Sequence, residues 1–150
     1  MVAIRIPVLI TFIVSLIGAA YLGFASIQLN HDKLIHFATF FILTLEFYFV
    51  FDTKHKSLKT LRWITFITCT VVASVLSEVV QTLVNSSRVF DVYDIACNVS
   101  GSALGLALGS GYDVWTIRKY RQARYRQLRS DLTNEIEEDY VSVNMVDISK

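Results

Sequence analysis

The run from Ile6 to Leu29, IPVLITFIVSLIGAAYLGFASIQL, holds no charged residue. A helix crosses a bilayer core with about 20 apolar residues, so this run is long enough to span. Pro7 suits the first helical position, where its missing N–H is no loss, and Gly18 and Gly23 are tolerated because lipid-embedded helices pack through small residues. A cleaved signal peptide is the rival. Its apolar core covers only about 7–15 residues, so a retained helix is expected even though Ala19, Ala20 and Ala25 offer small residues for cleavage.

Outward from this run the pattern repeats three times. Leu34 to Phe51 is apolar and aromatic with one acid, Glu46; DTKHKSLKTL (52–61) is polar and basic; Arg62 to Val84 is apolar again; NSSRVFD (85–91) is a polar turn; and Val92 to about Gly109 forms a fourth apolar run. With 53% hydrophobic residues in 150 and a mean hydropathy of +0.47, the chain carries more apolar surface than one small soluble core hides. The expected fold is an all-α membrane protein, a four-transmembrane-helix bundle with helices at about 6–29, 34–51, 62–84 and 92–109. A soluble tail over 112–150 follows, basic in WTIRKYRQARYRQLR and acidic in SDLTNEIEEDY, helical at first and looser later.

Orientation follows from Lys and Arg, which favour the cytoplasmic side when they sit in short loops or close to helix ends. Arg5, then Lys54, Lys56, Lys59 and Arg62, then Arg118, Lys119, Arg121, Arg124, Arg126 and Arg129 fall on one side; only Lys33 and Arg88 fall on the other. Both termini are therefore expected to be cytoplasmic, whether or not helix one is cut. The basic tail stretch would attract anionic lipids. A net charge of +1 divided between basic and acidic patches argues against nucleic acid as a partner. Cys69 and Cys97 lie inside apolar runs and lack ligand spacing, so neither a disulfide, a metal nor another cofactor is expected.

Residues three or four apart share a helix face, which arranges the sparse polar residues into stripes. On helix two, Asp32, His36, Thr39, Leu43 and Glu46 align, and Asp32 stands where a carboxylate orients the His36 imidazole, or where it caps the helix. On helix three the stripe is Ser74, Glu78, Gln81 and Asn85. An ionised carboxylate in hydrocarbon costs about 2.5–3.5 kcal/mol on insertion scales, so Glu78 must turn to a partner helix, bind a cation or stay neutral. On helix four Asp94, Asn98, Gly101 and Gly105 share a face, and GSALGLALG places Gly101, Gly105 and Gly109 at four-residue intervals, a ladder for close helix packing within the monomer or in a homo-oligomer. Asp32, His36, Glu78, Gln81, Arg88, Asp94 and Asn98 all belong to the outer ends of helices or to the turn between them. They are expected to converge, either as a binding site or as a purely structural lock.

The segments that carry these residues, DKLIHF (32–37) and EVVQTLVNSSRVFDVYDIACNVSGSALG (78–105), resemble VanZ-like membrane proteins, whose namesake is associated with resistance to the glycopeptide teicoplanin. Ser86 and Ser87 stand where relatives often show Pro or Gly, and Phe40 and Phe41 where Tyr is frequent. The resemblance implies a fold more than a reaction, because no single substrate or cofactor goes with the family. A non-enzymatic bundle that binds or shields a membrane lipid or other amphiphile at the outer leaflet is the leading expectation. The alternatives are headgroup chemistry with His36 and Glu78 exchanging protons, a proton-coupled carrier using Glu46 and Glu78, and an interaction subunit for a partner membrane protein.

Overall fold

A computed structural model describes residues 4–24, 32–52, 58–85 and 89–148. Helix α1 is Ile6–Phe24, α2 is Asp32–Val50, α3 is Leu58–Thr65, a π-helical segment covers Phe66–Ala73, α4 is Ser74–Val84 and α5 is Val92–Ile148. The expected end of helix one, 25–29, lies outside the described residues, as does Arg88. Helix two starts two residues earlier than the apolar run, because Asp32 and Lys33 enter its first turn.

Along α1, Ile6, Ile10, Ile13, Val14, Ile17 and Tyr21 recur at helical spacing and are exposed, an apolar stripe that needs lipid rather than water. The other face packs on α2, with the Phe12 and Phe47 rings 5.8 Å apart. At the start of α1 the Arg5 N–H donates to the Val50 carbonyl at 2.8 Å and the Arg5 guanidinium lies 3.8 Å from Asp52. The start of α1 and the end of α2 thus share one pole of the bundle.

The third hydrophobic stretch is continuous from Leu58 to Val84 but changes register in its middle. Its buried side chains are Leu61, Thr65, Cys69, Thr70, Ser74 and Glu78, and the five-residue step from Cys69 to Ser74 is where the inserted turn sits. The Ser74 hydroxyl donates to the Cys69 carbonyl across that step at 3.2 Å. The insertion realigns the stripe, so that polar side chains on both sides of it face inward.

Among the described residues, three helices, Ile6–Gly23, Asp32–Val50 and Leu58–Val84, are long and apolar enough to cross a membrane. The fourth expected segment is helical too, but it does not stop near Gly109: α5 runs on to Ile148, which corrects the expectation of a looser late tail. Beyond Gly111 the chain lacks both Pro and Gly, and its segment RKYRQARYRQLR (118–129) is built mainly of Arg, Gln, Ala and Leu, which lose little freedom in a helix.

By packing, the chain forms two units, Met1–Gly111 and Tyr112–Lys150. The second is helical through Ile148, with Lys119 Nζ 4.4 Å above the Trp115 ring. In the first, Gly101, Gly105 and Gly109 bring α5 against α2. A Cβ on Gly101 would overlap the Phe37 carbonyl, one on Gly105 would come within 2.6 Å of the Phe41 carbonyl oxygen, and one on Gly109 would come within 2.9 Å of the Tyr48 ring. Close approach of backbones through a small-residue ladder is what the spacing predicts for packing inside one monomer.

Candidate functional site

Because α5 approaches α2 so closely, the polar side chains on its inner face meet those of α2 and α4 in two layers. In the layer towards the middle of the bundle, Thr44 Oγ1 donates to Ser102 Oγ at 2.9 Å, and Thr70 Oγ1 lies 2.7 Å from the same oxygen. All three residues are buried. One hydroxyl therefore ties three segments together in a region where unpaired polar groups are costly.

The second layer lies nearer the start of α2. His36, Glu78, Asp94 and Asn98 are all buried there, Asn98 completely. The Asn98 amide nitrogen is 3.4 Å from the Ser74 carbonyl and 3.2 Å from Ser77 Oγ, while Ser77 Oγ itself donates to Ser74 at 3.1 Å. A carbonyl only accepts, so the Asn98 NH2 must face Ser74 and its Oδ1 must face His36 Nδ1, 3.1 Å away. An amide oxygen also only accepts, which makes Nδ1 the protonated nitrogen. The other ring nitrogen, Nε2, is left facing two carboxylates, Asp94 Oδ2 at 3.5 Å and Asp32 Oδ1 at 3.8 Å.

Glu78 turns towards the start of α5, where its Oε1 accepts the Asp91 N–H at 3.0 Å. Its Oε2 is buried without a hydrogen-bond partner. Lys33 lies 3.9 Å from Asp91 and 4.5 Å above the Tyr93 ring. Gln81 faces another way, with its amide against Gly23 of α1, where a Cβ would come within 2.6 Å of Nε2. Glu46 belongs to a separate contact, accepting from Ser15 Oγ of α1 at 3.1 Å. The structure thus gathers Asp32, His36, Glu78, Asp94 and Asn98 at one end of the bundle and sets Gln81 and Glu46 towards α1.

Between α1, α2, the π-helical segment and α4 lies a cavity of about 370 Å³, within the range of small-molecule pockets. Its walls are mainly apolar. Phe12, Phe47 and Thr68 mark one end, and Gly23, Asp32 and Gln81 the other, with Leu16, Leu43 and Leu76 between. From Asp32 to Phe47 along α2 the distance is roughly 22 Å at 1.5 Å per residue. Asp32 and His36 line this cavity and also belong to the polar cluster.

Thr44, Thr70 and Ser102 were not singled out by the stripes. Ser102 is the next four-residue step after Asp94 and Asn98, and that repeat was the available signal. The expected helix-two stripe through Thr39, Leu43 and Glu46 gives way to His36, Phe40, Thr44 and Tyr48 as the buried line. Thr39 and Leu43 line the cavity, as do His36, Phe40 and Thr44 of the buried line.

Comparison with known proteins places these residues in a wider setting. The VanZ/LLP1 family profile matches residues 5–114, the stretch that contains both polar layers and the glycine ladder. An uncharacterized protein of Schizosaccharomyces pombe is 43% identical over 126 residues, covering 82% of this chain and 75% of its own length. An uncharacterized protein of Saccharomyces cerevisiae is 34% identical over 90 residues, covering 57% of this chain and 83% of its own. No solved structure matches the chain.

Proposed function

This chain belongs to the VanZ/LLP1 family, and we propose that it is a multi-pass membrane protein that holds one amphiphile, lipid tail inside the bundle and headgroup at the non-cytoplasmic surface. The observation that carries this reading is the polarity of the cavity: apolar along its length, with Asp32, His36 and Gln81 at one end. A lipid chain gains about 0.8 kcal/mol for each CH2 moved from water into such walls, and the polar end offers donors and acceptors to its headgroup.

In this reading the first part of α5 is a fourth crossing. Its inward polar line, Asp94, Asn98 and Ser102, is sheltered by α2 and α4, while Leu104 and Leu108 are exposed. Both termini lie in the cytoplasm, because among the described residues the pole that holds Arg5, Lys59 and Arg62 carries more Lys and Arg than the pole that holds Lys33. A structural lock accounts for Thr44, Thr70, Ser102 and Asn98. It does not account for an apolar cavity with Asp32, His36 and Gln81 at one end, which favours binding.

The test is photo-crosslinking of the full-length protein with a phosphatidylcholine carrying a diazirine near the end of one acyl chain. Adducts are expected on Phe12, Leu16, Leu43 and Phe47, and their loss is expected in Leu16→Trp. Adducts confined to the exposed stripe of Ile10, Val14 and Ile17, unchanged by Leu16→Trp, would overturn the reading.

A further inference from the structure

The imidazole of His36 presents an electrostatic puzzle. Its Nδ1–H is committed to Asn98 Oδ1, because the Asn98 NH2 is held by Ser74 and Ser77. A neutral ring then points the Nε2 lone pair at two carboxylate oxygens, three electron-rich atoms turned on one another in a buried place. Something positive belongs between them. Asp32 Oδ1, His36 Nε2 and Asp94 Oδ2 offer one ligand atom each, all within 4.8 Å of one another.

We infer that Asp32, His36 and Asp94 form a binding site for a divalent transition-metal cation, Zn²⁺ being the type, with Asn98 as the positioning residue that fixes the ring tautomer. Two ligands held at about 2.0–2.2 Å by tetrahedral zinc stand roughly 3.3–3.6 Å apart. His36 and Asp94 already stand at 3.5 Å, and His36 and Asp32 at 3.8 Å need only a small inward turn of a half-exposed aspartate. An imidazole ligand suits zinc and its neighbours better than magnesium or calcium, which prefer oxygen throughout. A ligating histidine that gives its second N–H to an oxygen acceptor is the usual outer-shell arrangement, here supplied by Asn98.

Two further observations point the same way. Glu78 Oε2 is buried without a hydrogen-bond partner, and Oε1 of the same side chain accepts the Asp91 N–H, so a further carboxyl group stands at the start of α5, where Asp94 lies. The side chain of Asp32 is 40% exposed and that of Asp94 8%, which gives the ion a way in and an inner wall. Three protein ligands leave a tetrahedral ion one open position. Because Asp32 and His36 line the cavity, that position is available to an anionic or carbonyl oxygen of whatever the cavity holds. The metal site itself stands without the amphiphile.

Full-length protein purified in a lipid-free detergent and stripped with a chelator is titrated with Zn²⁺ alone and, separately, Co²⁺ alone. The expected result is one equivalent bound, with visible d–d absorption from a low-coordinate Co²⁺. His36→Gln and Asp94→Asn should abolish it. Asp32→Asn, at the half-exposed position, should weaken it without disturbing elution or helicity, so that loss of binding is separable from loss of fold. Asn98→Ala should lower affinity about 10–100-fold, as outer-shell changes do. Asn98→Asp, which keeps the acceptor for Nδ1–H, should recover much of it. Wild-type protein that takes up no more metal than Asp32→Asn/His36→Gln/Asp94→Asn would overturn the site and assign the positive charge to a proton on Nε2. Uptake that is insensitive to Asn98→Ala would overturn the positioning role. Neither result bears on lipid retention, which is read by crosslinking.

Discussion

Replacing Gly101 with alanine tests the packing on which both polar layers depend. The added methyl would overlap the Phe37 carbonyl of α2, a backbone atom that has no rotamer to escape into. At Gly105 the corresponding approach is 2.6 Å to the Phe41 carbonyl oxygen. Against an ordinary C···O contact of about 3.3–3.6 Å, that is a shortfall of roughly 0.7 Å or more, and Gly101 requires a larger movement. Overpacking of this kind costs about 1–3 kcal/mol. Alanine's better helix propensity returns about 0.5–1 kcal/mol, so with the upper end of that cost, set by the direct backbone overlap, the net loss at Gly101 is about 2 kcal/mol. Gly18 is the internal control, since a Cβ there meets nothing within 4 Å. Gly18→Ala should be neutral or stabilising by up to about 1 kcal/mol. The assay is reversible unfolding by SDS in mixed micelles, followed by circular dichroism. The two variants should differ by about 2–3 kcal/mol, and Gly105→Ala should fall between them. If Gly101→Ala and Gly18→Ala unfold at the same SDS fraction, the approach of α5 to α2 is wrong.

Three other outcomes follow from the same packing. In a double-mutant cycle of Thr44→Val and Ser102→Ala, the coupling energy measured by SDS unfolding should be about 0.6–1.7 kcal/mol, the scale of interhelical hydrogen bonds in membranes; zero coupling would remove the inner layer. Ser15→Ala takes the hydroxyl from Glu46 Oε1 and should destabilise by about 1–3 kcal/mol, whereas Glu46→Gln, which keeps an acceptor oxygen, should cost less on the same titration. In a Cys69→Ser/Cys97→Ser background and in sealed vesicles of known sidedness, Lys59→Cys should react with an impermeant maleimide added to the cytoplasmic face, and Val89→Cys only with one added to the opposite face. The reverse pattern would invert the proposed orientation.

Much of this architecture was legible because a bilayer leaves few options. Three apolar runs became helices close to their expected bounds, and the repeat of Gly101, Gly105 and Gly109 pointed to the α5 face that meets α2. Asp32, His36, Asp94 and Asn98 could be placed together because each pair lies one helical turn apart on facing elements. The inner layer escaped notice for a physical reason: a hydroxyl barely lowers local hydropathy, so Thr44, Thr70 and Ser102 look like part of the apolar run. The choice between i+3 and i+4 also depends on how helices cross, and α2 uses the strict four-residue line from His36 to Tyr48. The π-helical turn was hidden for a related reason. FITCTVVA reads as ordinary apolar helix, and only the buried line, which steps by four from Leu61 to Cys69 and by five from Cys69 to Ser74, reveals the extra residue. The switch from apolar to charged sequence after Gly111 resembles a change of structure, yet Arg, Gln and Glu are good helix formers and α5 continues through it. The direction of Gln81 depends on the gap that Gly23 leaves in α1, which no single stripe contains.

The most direct test of an amphiphile-binding bundle is native mass spectrometry of the full-length protein released from mild detergent. Wild type should carry one lipid per chain, and Leu43→Trp, which fills the cavity from α2, should be released bare while unfolding at an unchanged SDS fraction. Equal lipid occupancy in the two proteins would mean that the cavity between α1, α2 and α4 is not where the ligand sits.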